Sequence, residues 1–231
     1  MIPLRDDNPA ALVPVVTRTL IAVNLLVFLY EALLGPELRR FVFEWGFVPE
    51  RLTLALRYGN EPLLSAALPI LTSMFLHGGW AHVIGNMWYL WIFGDNVEDL
   101  LGHAGFLVFY LVCGAIAALI QYATIPASTL PTVGASGAIA AVLGAYIGAY
   151  PRVRVFTLLP LFPFIQVVPL PAYLVLGLWF LLQFVLGLGA LHAAATGGIA
   201  FWAHVGGFAA GLLAIRVFLA GRRPRSRAWV E

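Results

Sequence analysis

The sequence predicts an all-α, polytopic membrane protein: a six-helix bundle whose first loop is itself partly embedded in the membrane. Two observations carry this expectation. Of 231 residues 61% are apolar and only 10% are charged, against about 25% charge in an average soluble domain, and the mean hydropathy is +0.92. The charges are also unevenly spread, for no acid recurs between Asp99 and Glu231, and Val155 to Ile215 carries no charged side chain of either sign. Such segments require the lipid bilayer as their solvent and partner. All 13 basic residues are arginine and the net charge is +2, too small and too dispersed for a nucleic-acid partner. A single cysteine, Cys113, excludes a disulfide framework and a cysteine-rich metal site.

The elements follow from apolar runs bounded by charge, Gly or Pro. Residues 1–18 read as an N-terminal cytoplasmic segment. A first span over Thr19 to Leu34 has acids and arginines before it and no small-residue cleavage site after it, so it is a permanent helix rather than a signal peptide. Leu63 to Leu76 is apolar but interrupted by Pro69, which favours an interfacial or re-entrant segment over a full span. Spans two to four are placed over Ala81 to Gly94, Ala104 to Tyr122 and Ser136 to Tyr150. Val155 to Leu170 contains Pro160, Pro163 and Pro169 and is read like the first interrupted run, with a seventh span as the alternative. Ala172 to Gly187 and Ile199 to Leu219 complete a membrane domain over 19–220, followed by a basic cytoplasmic tail over 221–231.

Orientation follows from arginines. Arg222, Arg223, Arg225 and Arg227 in the tail, with Arg152 and Arg154, place both termini in the cytoplasm of a cell whose plasma membrane holds the chain. Arg39, Arg40, Arg51 and Arg57 fall in the long outer loop against this rule, but Glu37, Glu44, Glu50 and Glu61 accompany them there.

In this arrangement spans two, four and six run the same way, and each bears polar groups near its outer end: His82 and Asn86, then Ser136, then His204. Ser136 precedes Arg152 by about 24 Å of helix and His204 precedes Arg222 by about 27 Å, so in a hydrocarbon layer of about 30 Å the two lie at similar depths. Taken singly each has a plain structural reading. The small residues Gly134-Ala-Ser136-Gly137, with Ala138, Ala140, Ala141 and Gly144, serve close helix packing; Asn86 serves as interhelical glue; His204 serves as a core histidine or a haem or metal ligand. Together they bring a nucleophile, a base and an amide donor into one membrane layer. Span four is short, which leaves Ser136 beneath a loop, Thr124 to Val133, that must be backed by protein or water.

From about Trp45 to Gly211 the chain resembles the rhomboid intramembrane serine proteases. The motifs are His77-Gly-Gly-Trp-Ala-His82-Val-Ile-Gly-Asn86, then Phe93-Gly-Asp-Asn-Val-Glu98 with Gly102, Gly134-Ala-Ser136-Gly137, and Ala203-His204-Val-Gly-Gly207-Phe-Ala-Ala-Gly211. The resemblance implies Ser136 as nucleophile, His204 as base, His82 and Asn86 as oxyanion donors, and Gly207 and Gly211 as the close contact of helix six with helix four; Gly134 and Gly137 belong to the same group of small residues near the site. Transmembrane-helix proteins are the implied substrates. The chain departs from some members in having Ala140 where they carry a tyrosine one turn after the serine, and in lacking a Trp-Arg pair in the first loop.

The chemistry of the residues agrees with those roles. A serine hydroxyl needs an adjacent base, and imidazole suits the task near neutral pH. No acid lies between Leu100 and Val230, which points to a dyad rather than a triad. His82 and Asn86, four residues apart, share a helix face as donors to one oxyanion must. No His-Glu-x-x-His zinc motif and no pair of aspartates within spans is present, so neither a metal nor a cofactor is expected. Gln121 and Gln183 read as interhelical hydrogen bonders, and His103 and His192 as solvated residues at span ends. A non-catalytic rhomboid-like protein that binds client helices is the alternative reading. A third, haem binding or transport, would use His77, His82 and His204. The oligomeric state is left open.

Overall fold

The computed structural model describes residues 1–161, 164–192 and 200–221. The basic tail, including Arg222, Arg223, Arg225 and Arg227, and the expected start of the sixth span at Ile199 lie outside the described residues.

Six long or central helices correspond to the six expected spans. These are α1 (Val15–Leu33), α6 (Trp80–Leu101), α7 (His103–Thr124), α8 (Ser136–Ala149), α9 (Ala172–His192) and α10 (Phe201–Ala220). Between α1 and α6 the first loop is a chain of short helices, α2 (Leu38–Trp45), α3 (Pro49–Tyr58), α4 (Leu63–Ala67) and α5 (Pro69–Thr72), ending in a 3-10 turn over Ser73–Phe75. α1, α7, α9 and α10 are long and apolar enough to cross a bilayer, and α6 joins them if it is taken together with Leu63–Phe75, to which it is bent by 77°. The bend falls at residues 76–79, after the expected interruption at Pro69, which itself opens the short helix α5. α8 has only 14 residues, about 21 Å of helix, and needs no long lipid-facing stretch because every residue from Gly137 to Tyr146 is buried. It is the axis of the bundle.

Helices α8 and α10 approach at backbone contact. A Cβ on Gly207 would lie 2.1 Å from the Gly137 carbonyl oxygen, one on Gly211 would lie 1.9 Å from that of Ala141, and one on Gly144 would lie 2.0 Å from that of Phe208. No larger residue fits at those three positions without parting the helices. On the other side of α8, Phe93 of α6 meets Tyr146 edge to face, with ring centroids 4.9 Å apart.

The run after α8 folds differently from the interfacial or re-entrant segment expected. Arg154–Leu161 (β2) and Phe164–Pro171 (β3) pair as antiparallel strands, and Ile2–Asp6 (β1) adds to the other edge of β2. The prolines that forbid a helix are tolerated here because β3 is an edge strand and Pro160 lies near the end of β2. Val155 and Thr157 are fully buried, while Phe156 and Leu158 are half-buried. This two-residue period is hidden in the sequence because both faces are apolar.

The N-terminal residues are consequently built into the bundle. Trp88 Nε1 donates to the Pro3 carbonyl, and the Ala11 and Leu12 amides donate to the Asp99 carboxylate. Glu98 supplies the missing acceptors at the start of α1, taking the Val16 amide at 2.8 Å and the Thr17 amide and hydroxyl at 2.7 Å each. A carboxylate against a helix N-terminus satisfies orphan donors and the helix dipole together. It is why α1 begins at Val15, four residues before the expected Thr19. His103, assigned only to solvent from the sequence, also contacts Glu98.

Candidate active site

Ser136 opens α8, so its side chain and the first amides of that helix stand at one end of the most buried element of the fold. The preceding turn is set by Gly134, whose φ of +127° is disfavoured for any residue with a Cβ. Its amide donates to the Ser73 carbonyl. Grouped with packing glycines from the sequence, Gly134 instead lies ahead of the helix. A methyl there would fall 2.7 Å from His82 Nε2 and 3.6 Å from Ser136 Oγ, so the absence of a side chain leaves a gap between those two groups. Gly137 faces α7, where a methyl would sit 2.8 Å from Ala117 Cβ.

The loop from Thr124 to Val133 is backed by protein, as its depth demands. Phe47 and Thr132 exchange both backbone hydrogen bonds, the Glu50 amide donates to the Ser128 carbonyl, and Thr53 Oγ1 donates to the Pro126 carbonyl. The first loop thus supports the cover over Ser136.

The close glycine contact of α10 with α8 carries His204 to the serine. Its Nε2 lies 2.7 Å from Ser136 Oγ, and His204 is only 8% exposed. One turn of α10 is anchored by Gln121, whose Oε1 accepts the Ala203 amide at 3.1 Å. The other ring nitrogen of His204, Nδ1, lies 2.7 Å from Oε1 of Gln183 on α9. Trp179, one turn earlier on that helix, sets its ring 5.9 Å from the imidazole at 36°. Ala140 is fully buried within α8, and the ring beside the imidazole comes from α9 instead. Gln183 and Trp179 were not among the expected site residues. Their signal in the sequence is a lone amide and an indole four residues apart in a span without charge, which is one helix face.

His82 and Asn86 stand on the first two turns of α6. The Gly78 amide donates to His82 Nδ1 at 3.3 Å; an Nδ1 that accepts leaves the proton on Nε2, the nitrogen nearest Gly134. Asn86 is buried, and its Nδ2 has no hydrogen-bond partner among the described residues. The segment entering α6 is held by Glu31 of α1, which accepts the His77 amide at 3.1 Å. The His77 ring packs 5.1 Å from that of His82.

Three groups of the chemistry that acyl transfer uses therefore meet around Gly134: a hydroxyl paired to an imidazole, an imidazole N–H and the amides of a helix N-terminus, with Asn86 one turn along α6 from His82. A family model described as a rhomboid domain matches residues 65–221. Among curated proteins, the chain is 35% identical over 129 residues to the mitochondrial presenilin-associated rhomboid-like protein of Bos taurus, covering 54% of this chain and 34% of that one. It is 38% identical over 82 residues to the chloroplastic rhomboid-like protein 11 of Arabidopsis thaliana, covering 36% and 28%. A Bacillus subtilis protein named as a candidate rhomboid protease, YdcA, is 36% identical over 78 residues, covering 34% and 39%. The matched stretch spans about a third of the length of each of these relatives.

Proposed function

Because the chain belongs to the rhomboid family, we propose that it is an intramembrane serine endopeptidase, hydrolysing a peptide bond in or next to the transmembrane helix of a membrane-protein substrate. The observation that carries the proposal is the 2.7 Å contact of Ser136 Oγ with His204 Nε2 on neighbouring helices.

In the acylation step Ser136 Oγ attacks the substrate carbonyl carbon while His204 Nε2 takes the hydroxyl proton. The carbonyl oxygen becomes an oxyanion, met by His82 Nε2–H, Asn86 Nδ2–H and the free amides at the start of α8. As the tetrahedral intermediate collapses, the C–N bond breaks and His204 returns the proton to the leaving amine, leaving an ester on Ser136. A water then attacks that ester, passes its proton to His204, and releases the carboxylic acid as Ser136 is reprotonated. The place of Asn86 supports this reading: it is buried one turn after His82 on α6, so the two donors share a helix face.

The proposal includes location: a plasma membrane with both chain ends cytoplasmic. It is supported by the strands β1 and β2, which put Arg5, Arg152 and Arg154 at the end of α8 opposite Ser136. The test is cleavage of a reporter transmembrane helix in liposomes by wild type, Ser136→Ala and His204→Ala. Cleavage by wild type alone is expected, with the double mutant no worse than either single one. Stoichiometric binding of helices without cleavage by the wild type would establish the client-binding alternative.

A further inference from the structure

We propose that Gln183 of α9 is the positioning residue of the dyad, fixing which nitrogen of His204 carries the proton; the inference rests on the protease reading above. The Oε1 of Gln183 is an acceptor and nothing else, so at 2.7 Å from His204 Nδ1 it holds the proton there. A neutral imidazole protonated on Nδ1 has its lone pair on Nε2, and Nε2 is the nitrogen 2.7 Å from Ser136 Oγ. The opposite tautomer would present an N–H to the hydroxyl and would be unable to accept its proton.

This role falls to an amide because the described surroundings of His204 contain no carboxylate. In the ground state a neutral acceptor orients a neutral ring at little electrostatic cost in an apolar interior. As His204 accepts the serine proton, the Nδ1–H···Oε1 bond becomes charge-assisted and strengthens, so Gln183 favours the transition state over the resting state. Trp179, on the same face of α9, closes the imidazole from one side. The hydrogen bond from Trp202 Nε1 to the Gly187 carbonyl, 3.1 Å long, ties the outer part of α9 to α10. The dyad thus spans three helices: α8 supplies the nucleophile, α10 the base and α9 the group that sets the base's tautomer.

The experiment compares wild type, Gln183→Leu, Gln183→Glu and the exposed control Leu182→Ala, in detergent, by the rate at which a fluorophosphonate phosphonylates Ser136, with loss of fluoride, across pH. Gln183→Leu should slow phosphonylation roughly 10- to 100-fold at saturating probe, with the half-saturating probe concentration unchanged. Gln183→Glu keeps an acceptor oxygen and should restore the rate at alkaline pH. Where it is ionised it should move the acid limb of the profile to higher pH, because a carboxylate favours the imidazolium. Leu182→Ala should match wild type. A Gln183→Leu enzyme with wild-type rate and profile, or a Gln183→Glu enzyme as impaired as Gln183→Leu at every pH, would overturn the role.

A second measurement is independent of activity. The imidazole 15N shifts of His204 should show a protonated Nδ1 in wild type and a loss of that preference in Gln183→Leu. A wild-type His204 protonated on Nε2 would overturn the inference even in an active enzyme. Wild-type protein that labels no faster than Ser136→Ala would instead count against the protease reading, and the 15N result would still decide the tautomer.

Discussion

Replacing Gly207 by alanine perturbs the dyad without touching either of its members. The new methyl would stand 2.1 Å from the carbonyl oxygen of Gly137, the residue that follows Ser136, whereas ordinary contact begins near 3.4 Å. Both atoms in conflict belong to backbone or are bonded to it, so no side-chain rotation relieves the clash, and α8 and α10 must part by roughly 1 Å at that level. His204 is less than one turn away on α10. A shift of that size carries Nε2 from 2.7 Å out of hydrogen-bond range of Ser136, and a misplacement of about 1 Å costs on the order of 10²-fold in rate, equivalent to about 2.7 kcal/mol. The assay is turnover of a reporter transmembrane helix per folded molecule, read beside thermal unfolding in detergent. Gly85→Ala on α6 and Gly177→Ala on α9 are the controls, because a methyl at either meets nothing within 4 Å among the described residues. Those two should keep wild-type turnover and gain up to about 1 kcal/mol from helix propensity. A Gly207→Ala protein with wild-type turnover and stability would refute the view that backbone contact of these helices sets the dyad distance.

Asn86→Ala should lower turnover by about 10²- to 10³-fold with little change in unfolding temperature, since its Nδ2 has no partner to lose among the described residues; a destabilised mutant with normal turnover would remove Asn86 from the oxyanion site. Glu98→Gln should cost about 1 to 2 kcal/mol of stability by weakening the acceptors at the start of α1, measured by thermal unfolding, whereas an unchanged midpoint would mean that α1 is held elsewhere. Burial raises the Asp6 carboxyl from its ordinary value of 3.8 to about 6, against the opposing hydrogen bond from Tyr146. The folded state therefore holds this proton longer than the unfolded one, so the stabilisation it brings is complete below pH 3.8 and is lost as pH rises through about 6. Because the carboxyl is partly open to water, wild type should lose on the order of 1 kcal/mol relative to Asp6→Asn between pH 5 and pH 7.5, and parallel curves for the two would contradict this.

What could be read from the sequence divides along physical lines. The helices α1, α6, α7, α8, α9 and α10 were legible because membrane burial writes itself as apolar runs poor in charge, and the depth match of Ser136 and His204 followed from helix rise counted back from Arg152 and Arg222. Their ends were less legible. Thr17 and Val16 join α1 because Glu98, some eighty residues away, supplies acceptors that no local pattern announces. The β2–β3 hairpin was hidden because Val155 to Leu170 is apolar on both faces, so the strand period has no polar positions to mark it. The proline count argued against a helix and could not distinguish a strand from an irregular segment. Gln183 was recognised as an interhelical hydrogen bonder, and what its partner would be depended on the rotation of α9 about its axis. That rotation is fixed by packing, where Trp179 lies against His204 and Phe208, and no local residue pattern states it.

In the proposed mechanism Ser136 is a nucleophile activated by His204 inside the membrane. Mass spectrometry of the intact protein and its peptides after fluorophosphonate treatment in detergent tests it most directly, comparing wild type with Ser136→Ala and His204→Ala. One covalent adduct is expected on Ser136 in the wild type and none in Ser136→Ala, with phosphonylation of His204→Ala slowed by at least about 10²-fold. A wild-type protein that is folded, with its thermal transition intact, yet forms no adduct on Ser136, or an adduct that forms equally fast without His204, would contradict it.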